Sequence, residues 1–316
     1  MPTTAPAATP VRVDAAAEVI TGPRESRKRQ RRHDAWAGLL FVLPMLVLFI
    51  IFRYIPSLGA VGLSFTDYKL SGEYELVGLD NYQRFFTNPV ALNALKTTLI
   101  YAVIYVPMMV VTALVTALVL QRIVWGSGFF RGALFLPYVT SFVLAGIIWL
   151  WLLNVDGPIN LLVTSLGFEA IPFLTGDRWL ILTSLASVSV WRGFGYSMLI
   201  LLAGLKTIPA ELYESASIDG ASSWNKFWRI TLPLLRPSLF FVLVIETIGA
   251  FQVFDTAYVM TGGGPARASY TLIYHLYESG FRFFNFGYAA AVGVVLFLIV
   301  FLISMVQRVL VDRAEA

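Results

Sequence analysis

Glu246, Gln252 and Asp255 stand in a stretch, Ser238 to Met260, that is otherwise almost wholly apolar. A charge at the centre of a membrane costs on the order of 2.5–3.5 kcal/mol on insertion scales, so polar residues in such a stretch are candidates for a functional site. On a continuous helix Gln252 and Asp255, three apart, share a face, with Phe251 and Tyr258 beside it, while Glu246 faces another way. Polar groups next to aromatic rings suit a sugar, whose hydroxyls lie at its edges and whose C–H faces are apolar. The competing reading puts Asp255 near the outer headgroups, paired with a basic neighbour. A second unusual run, Trp191-Arg192-Gly193-Phe194-Gly195-Tyr196-Ser197, brings a charge, two glycines and two hydroxyls into an apolar helix. There Gly195 reads as a point of close helix packing.

Catalytic chemistry has little to work with. The chain has two histidines, His33 and His275, no cysteine and no metal-spaced cluster, so neither a hydrolytic site, a thiol nor a metal centre is expected. No Gly-x4-Gly-Lys-Ser/Thr phosphate loop occurs, so no cofactor is expected on this chain and any ATP must be bound elsewhere. The run Gly262-Gly263-Gly264 reads as a turn.

These residues need a scaffold, and composition says which kind. With 58% hydrophobic and 13% charged residues in 316, the chain has too little polar surface for a soluble domain, and lipid is its expected solvent. A helix needs roughly 20 apolar residues to cross a bilayer, because lipid offers the backbone no hydrogen bonds. Six segments qualify: near Ala37–Leu58, Ala94–Leu120, Gly132–Leu153, Trp179–Leu205, Ser238–Met260 and Tyr288–Gln307. Prolines 44, 107 and 137 within them read as kinks before boundaries. The fold class is therefore an all-α, polytopic membrane protein, with a disordered basic tail over 1–34 and a transmembrane domain over 35–316. A cleaved signal peptide competes for the first segment, but that segment is long enough to span and no small-residue cleavage site follows.

Net charge of +4 suggests nucleic acid only until the bases are located. Arg24 to Arg32, Arg122, Arg131, Lys226, Arg229, Arg236, Arg308 and Arg313 all fall on one side. Asp67, Glu73, Glu75, Asp80, Asp156, Glu169 and Asp177 fall on the other. The positive-inside rule then places both termini in the cytoplasm, and anionic headgroups, not nucleic acid, account for the bases.

The cytoplasmic loop 206–236 between the fourth and fifth spans reads as two short helices around Gly220. Pro209 suits a first helical position, Glu211 complements a helix N-terminus, and Gly220 can end a helix in the left-handed conformation. Ser222 or Ser223 could cap a second helix carrying Trp224, Phe227 and Trp228 on one face, closed by Pro233 and Pro237. Small residues beside large apolar ones suit either a groove on another protein or the lipid surface.

Glu214-Ser215-Ala216, then Gly220, then Ile230-Thr231-Leu232-Pro233 resembles the EAA…G…I.LP loop of binding-protein-dependent ABC importer permeases, with Ser215 in place of the usual alanine. Val77-Gly78-Leu79-Asp80-Asn81-Tyr82 looks like that family's GL.NY segment, and Leu136-Pro137, Trp149 and Gly157-Pro158-Ile159-Asn160 also fit. Phe254 to Pro265 is similar to the FD..Y..T.GGP signature of the carbohydrate, maltose-type branch, whose relatives also import glycerol 3-phosphate.

The resemblance implies a type I importer permease fold in a prokaryotic plasma membrane and no enzymatic activity. It implies a second permease subunit (a distinct chain in maltose-type relatives), a dimer of subunits that bind ATP and Mg, an extracytoplasmic solute-binding protein, and a di- or oligosaccharide as solute. It further implies that Glu214, Ser215, Ala216, Ser217, Asp219, Gly220 and Ala221 dock on the ATPase. Arg192, Gly193 and Tyr196 would join Glu246, Gln252, Asp255 and Tyr258 along the solute path. The alternatives are a glycerol 3-phosphate permease and, in another class, an ion-coupled secondary transporter using Glu246 and Asp255, which would import without any ATPase. A sensor or scaffold that transports nothing is the remaining class.

Overall fold

A computed structural model of the protein describes residues 24–69, 72, 74–123 and 125–312. All regular structure among them is helical, apart from isolated antiparallel bridges between Thr66 and Leu76 and between Lys69 and Asn285. The first helical stretch, residues up to Gly59, forms a unit described by itself: α1 (Arg24–Phe49) runs through a wider turn at Ile50–Tyr54 into α2 (Ile55–Leu63). Pro44 lies inside α1. Of the tail expected over 1–34, residues 1–23 lie outside the described residues and 24–34 are helical. Arg, Lys, Gln and Glu are good helix formers, so the apolar helix continues upstream through them.

The remaining unit opens with α3 (Asp80–Thr87) and α4 (Pro89–Gln121), followed by α5 (Ser127–Val139), α6 (Phe142–Leu153), α7 (Pro158–Ser165) and α8 (Arg178–Lys206). The loop after α8 holds α9 (Ala210–Ile218), α10 (Ser223–Lys226) and α11 (Leu232–Leu234). After it come α12 (Arg236–Phe251), α13 (Asp255–Thr261), α14 (Leu272–Tyr277) and α15 (Phe286–Asp312). Helix α4 starts where Asn88 Oδ1 accepts from Val90 N with Pro89 at the first position, and α8 where Asp177 Oδ1 accepts from Leu180 N. These two helices share the largest interface; α12 packs on α4, α8 and α15, and α13 packs on α6 and α8.

Among the described residues five helical stretches are long and apolar enough to cross a membrane: Ala35–Leu63, Pro89–Gln121, Phe142–Ser165, Arg178–Lys206 and Phe286–Val309. A bent pair, Ser223–Leu234 and Arg236–Phe251, meeting at 68°, makes a sixth when counted as one span. The all-α polytopic fold expected from the hydropathy pattern is thus present with two corrections. The third span begins at Phe142, not Gly132, because Thr140 and Ser141 are extended and the Thr140 N and Oγ1 groups both donate to the Pro137 carbonyl, ending α5 two residues after its proline. The fifth ends at Phe251, not Met260: Gln252 and Phe254 leave helical geometry, and the freed Val253 carbonyl accepts from Thr271 Oγ1 at 2.9 Å. Irregular backbone of this kind is tolerated among spans where protein or a cavity satisfies it.

The packed core has two parts. One, around Tyr101, Tyr105, Met109, Leu185 and Phe251, joins α4, α8, α12 and α15. The other, around Ala113, Ala117, Met198, Leu201 and Val242, joins the opposite ends of α4, α8 and α12. Gly195 sits where α8 meets α5. A Cβ there would come within 2.3 Å of the Leu134 carbonyl oxygen, so the close packing expected of this glycine is what the helices do.

Outside the spans, α14 carries His275, buried with Nε2 3.1 Å from the Tyr288 hydroxyl and Nδ1 3.3 Å from that of Tyr270, which itself donates to Glu278 at 2.6 Å. Burial holds the imidazole pKa down to about 4, with Arg267 and Arg84 adding to the depression and Glu278 opposing it. Because the folded pKa lies below the unfolded value of 6.5, His275 contributes stability above about pH 6.5 that is lost as pH falls toward 4. Thermal unfolding in detergent across that window should show the acid loss in the wild type. It should be flatter in His275→Gln, and an equal slope in both would exclude the ring as its cause.

Candidate functional site

The break after Phe251 opens a cavity of about 210 Å³ lined by Tyr101 and Tyr105 of α4, Phe142 of α6, Ser189 of α8, and Gln252 and Asp255. Gln252 and Asp255 do not share the face of one helix, because Gln252 caps the end of α12 and Asp255 opens α13. The turn between them nonetheless brings both to one cavity. Opposite them, Tyr101 and Tyr105 stack with centroids 5.5 Å apart and planes 12° from parallel, and the Tyr101 hydroxyl donates to Ser189 Oγ at 2.9 Å. A ring face, hydroxyls, an amide and a carboxylate therefore meet in a small space, which is the chemistry of polyol recognition. Tyr101, Tyr105, Phe142 and Ser189 were not anticipated from the sequence. The available signal was two tyrosines four apart, on one face, far from the interfacial belts at the ends of α4.

None of the other expected path residues lines this cavity. Glu246, 7% exposed, lies behind Tyr105, accepting the Tyr105 hydroxyl at 2.7 Å on Oε2 and the Ser197 hydroxyl on Oε1. It is a junction between α4, α8 and α12. Arg192 lays its guanidinium 3.4 Å over the Phe142 ring and donates from Nε to the Thr140 carbonyl at 3.0 Å, bracing the cavity wall. A Cβ on Gly193 would meet the Met109 methyl at 2.7 Å, next to the Tyr105 hydroxyl. Tyr196 stacks on Tyr138 with centroids 5.0 Å apart. Tyr258 lines a separate cavity of about 530 Å³ with Leu150, Asn154 and Thr175. It also joins Phe254, Tyr274 and Tyr277 in one aromatic cluster.

The loop expected to couple folds as two helices around Gly220. Pro209 precedes the first helical residue instead of occupying it, and α9 ends with Ala221 N donating to the Ala216 carbonyl and Gly220 N to that of Ser217, a closure that requires Gly220 at φ +72°. Ser222 Oγ accepts from Asn225 N and caps α10. On α9 only Tyr213 and Ala216 are half-buried; Tyr213 packs on the core at the end of α4 and meets Thr231 Oγ1 at 2.9 Å. Glu214, Ser215, Ser217, Asp219 and Gly220 are exposed, and Ile218 is 87% exposed. Among the described residues no cluster of three or more metal-ligating side chains occurs.

Residues 89–316 match the family described as binding-protein-dependent transport system inner membrane component. A probable ABC transporter permease protein of Bacillus subtilis, YesP, is 37% identical over 89% of this chain and 92% of its own length. The lactose transport system permease LacF of Rhizobium radiobacter is 36% identical over 92% of this chain and 97% of its own. The sn-glycerol-3-phosphate transport system permease UgpA of Agrobacterium fabrum is 35% identical over 87% and 94%. A chain of a crystal structure of a bacterial ABC transporter involved in importing the acidic polysaccharide alginate shares the fold, with a TM-score of 0.78 at 23% identity, over 91% of this chain and 99% of that one. The chain therefore belongs to the binding-protein-dependent inner membrane components, as a multi-pass, non-catalytic permease subunit of an ABC importer.

Proposed function

We propose that this subunit forms half of a sugar path and that a second, distinct permease subunit supplies the other half, the two closing around one solute. The observation that carries this reading is the cavity where Gln252 and Asp255 face Tyr101, Tyr105 and Ser189. At about 210 Å³ it is small for a di- or oligosaccharide, in keeping with a subsite that a second subunit completes. Relatives named for lactose and for arabinooligosaccharides support the sugar, and those named for glycerol 3-phosphate support the rival. Asp255 in the lining weighs against the rival, because a carboxylate beside a phosphate dianion costs Coulomb energy in a low dielectric.

Both termini lie in the cytoplasm on this reading, an extracytoplasmic binding protein delivers the solute, and two ATP- and Mg-binding subunits supply the energy through the loop Glu214–Ala221. Exposed Ile218 and the small residues of α9 support docking in a groove of the ATPase. An ion-driven mechanism through Glu246 and Asp255 has less support, since the family is one of binding-protein-dependent components.

Uptake by vesicles holding the assembled importer tests the path. Asp255→Asn is expected to raise the half-saturating sugar concentration by roughly tenfold, the loss of about one charge-assisted hydrogen bond, with ATPase assembly unchanged. Transport of glycerol 3-phosphate but of no sugar would overturn the sugar reading, and uptake without the ATPase would overturn the importer mechanism.

A further inference from the structure

A third cavity, of about 550 Å³, lies where the end of α4 meets the loop that carries α9 and α10. Its wall runs from Leu118 and Gln121 of α4 through Arg122 to Tyr213 of α9 and to Trp224 and Lys226 of α10. Two cations line it and no carboxylate does. Leu118 lies one turn inside the apolar span, so the lining changes from charged to apolar in the direction of the hydrocarbon. Trp224 is 68% exposed and packs edge-on against Trp228, with centroids 5.5 Å apart, as aromatic side chains do at the level of lipid headgroups.

We infer that this cavity binds an anionic phospholipid of the cytoplasmic leaflet, its phosphate between Arg122 and Lys226 and an acyl chain along Leu118. The inference rests on the cytoplasmic orientation proposed above. Basic pockets between spans on that side suit phosphate headgroups, because the cations meet a negative surface at the depth where it lies. A soluble protein would reach the charged rim but not Leu118, so the charge-to-apolar gradient favours an amphiphile. The site bears on coupling because its residues also hold the loop. Lys226 Nζ donates to Ser217 Oγ on α9, and Tyr213 shares a hydrogen bond with Thr231. A phosphate competes with Ser217 for Lys226, so lipid occupancy and the seating of α9 are linked through one side chain.

The test uses the assembled importer in phosphatidylcholine vesicles with increasing phosphatidylglycerol, reading lipid retention by native mass spectrometry and solute-stimulated ATP hydrolysis in parallel. Wild type is expected to retain phosphatidylglycerol over phosphatidylcholine. The double variant Arg122→Gln with Lys226→Gln is expected to lose that retention about thirtyfold and the lipid dependence of its ATPase activity. Lys226→Arg, which keeps the charge, and Arg229→Gln, which alters an exposed base outside the lining, should both retain it. Equal retention of the two lipids by wild type, or equal retention by wild type and the double variant, overturns the proposal. So does complete displacement by millimolar inorganic phosphate, which would make the ligand a soluble anion. Loss of the ATPase subunit from the double variant with lipid retention unchanged would make the face a protein interface and overturns it too. Sugar uptake that persists without lipid dependence ends this proposal and leaves the transport reading standing.

Discussion

Gly220→Asp is expected to cut solute-stimulated ATP hydrolysis and uptake by roughly 5- to 150-fold, the span of a coupling free energy of about 1–3 kcal/mol, while the permease still folds. The position separates two effects that glycine substitutions usually confuse. Its φ of +72° belongs to the left-handed region, where a side chain costs roughly 1–2 kcal/mol, less for aspartate because its short polar group hydrogen-bonds locally. A Cβ at Gly220 meets nothing within 4 Å of this subunit, so no clash inside the chain adds to that cost. What the new carboxylate does meet is whatever covers α9 in the assembly. Gly195 is the contrast, since any side chain there strikes the Leu134 carbonyl and Gly195→Val should fail to fold. If purified Gly220→Asp permease keeps its thermal stability but loses stimulation, the loss belongs to the contact. If stimulation survives, α9 does not transmit the signal.

The loop was legible in the sequence because its signals are local. A glycine after the helix and a serine at the next N-cap act through backbone geometry within a few residues and are used as such at Gly220 and Ser222, while the proline signal at Pro209 marked the start of the helix but missed its first residue by one. The spans were legible as apolar length, but their ends were not. The helical face shared by Gln252 and Asp255 presumed a helix that continues, whereas the chain leaves it at Gln252 once Thr271, from a distant turn, supplies a donor to the Val253 carbonyl. The same limit hid half of the cavity. Tyr101 and Tyr105 lie within an apolar run, and only the packing of α4 against α8 and α12 reveals that their hydroxyls meet Ser189 and Glu246. Pairings far apart in sequence carry no local signature, so the polar residues of one span pointed to a site whose other wall they could not name.

Glu246→Ala is expected to destabilise the subunit by about 3–5 kcal/mol, and Glu246→Gln to restore most of that while leaving uptake intact. The carboxylate stands where the two parts of the core meet, between Ala250 on one side and Val242 on the other, each within one turn along α12. Alanine removes both acceptors at once. The Tyr105 and Ser197 hydroxyls then lose their partner in a buried setting, and the deleted carboxyl leaves a void between three helices. Glutamine keeps one oxygen as acceptor and puts an N–H on the other arm, which a hydroxyl can accept by turning its own proton away. Thermal unfolding in detergent measures the first effect and vesicle uptake the second. The pair of variants also decides what the charge is for. A joint that only ties α4, α8 and α12 together works with the neutral amide, whereas a carboxylate that must take up and release a proton in each transport cycle does not. A stable Glu246→Gln permease without uptake would therefore return the mechanism to ion coupling, and a stable one with normal uptake places Glu246 in the frame behind Tyr105 and leaves solute contact to the residues that line the cavity.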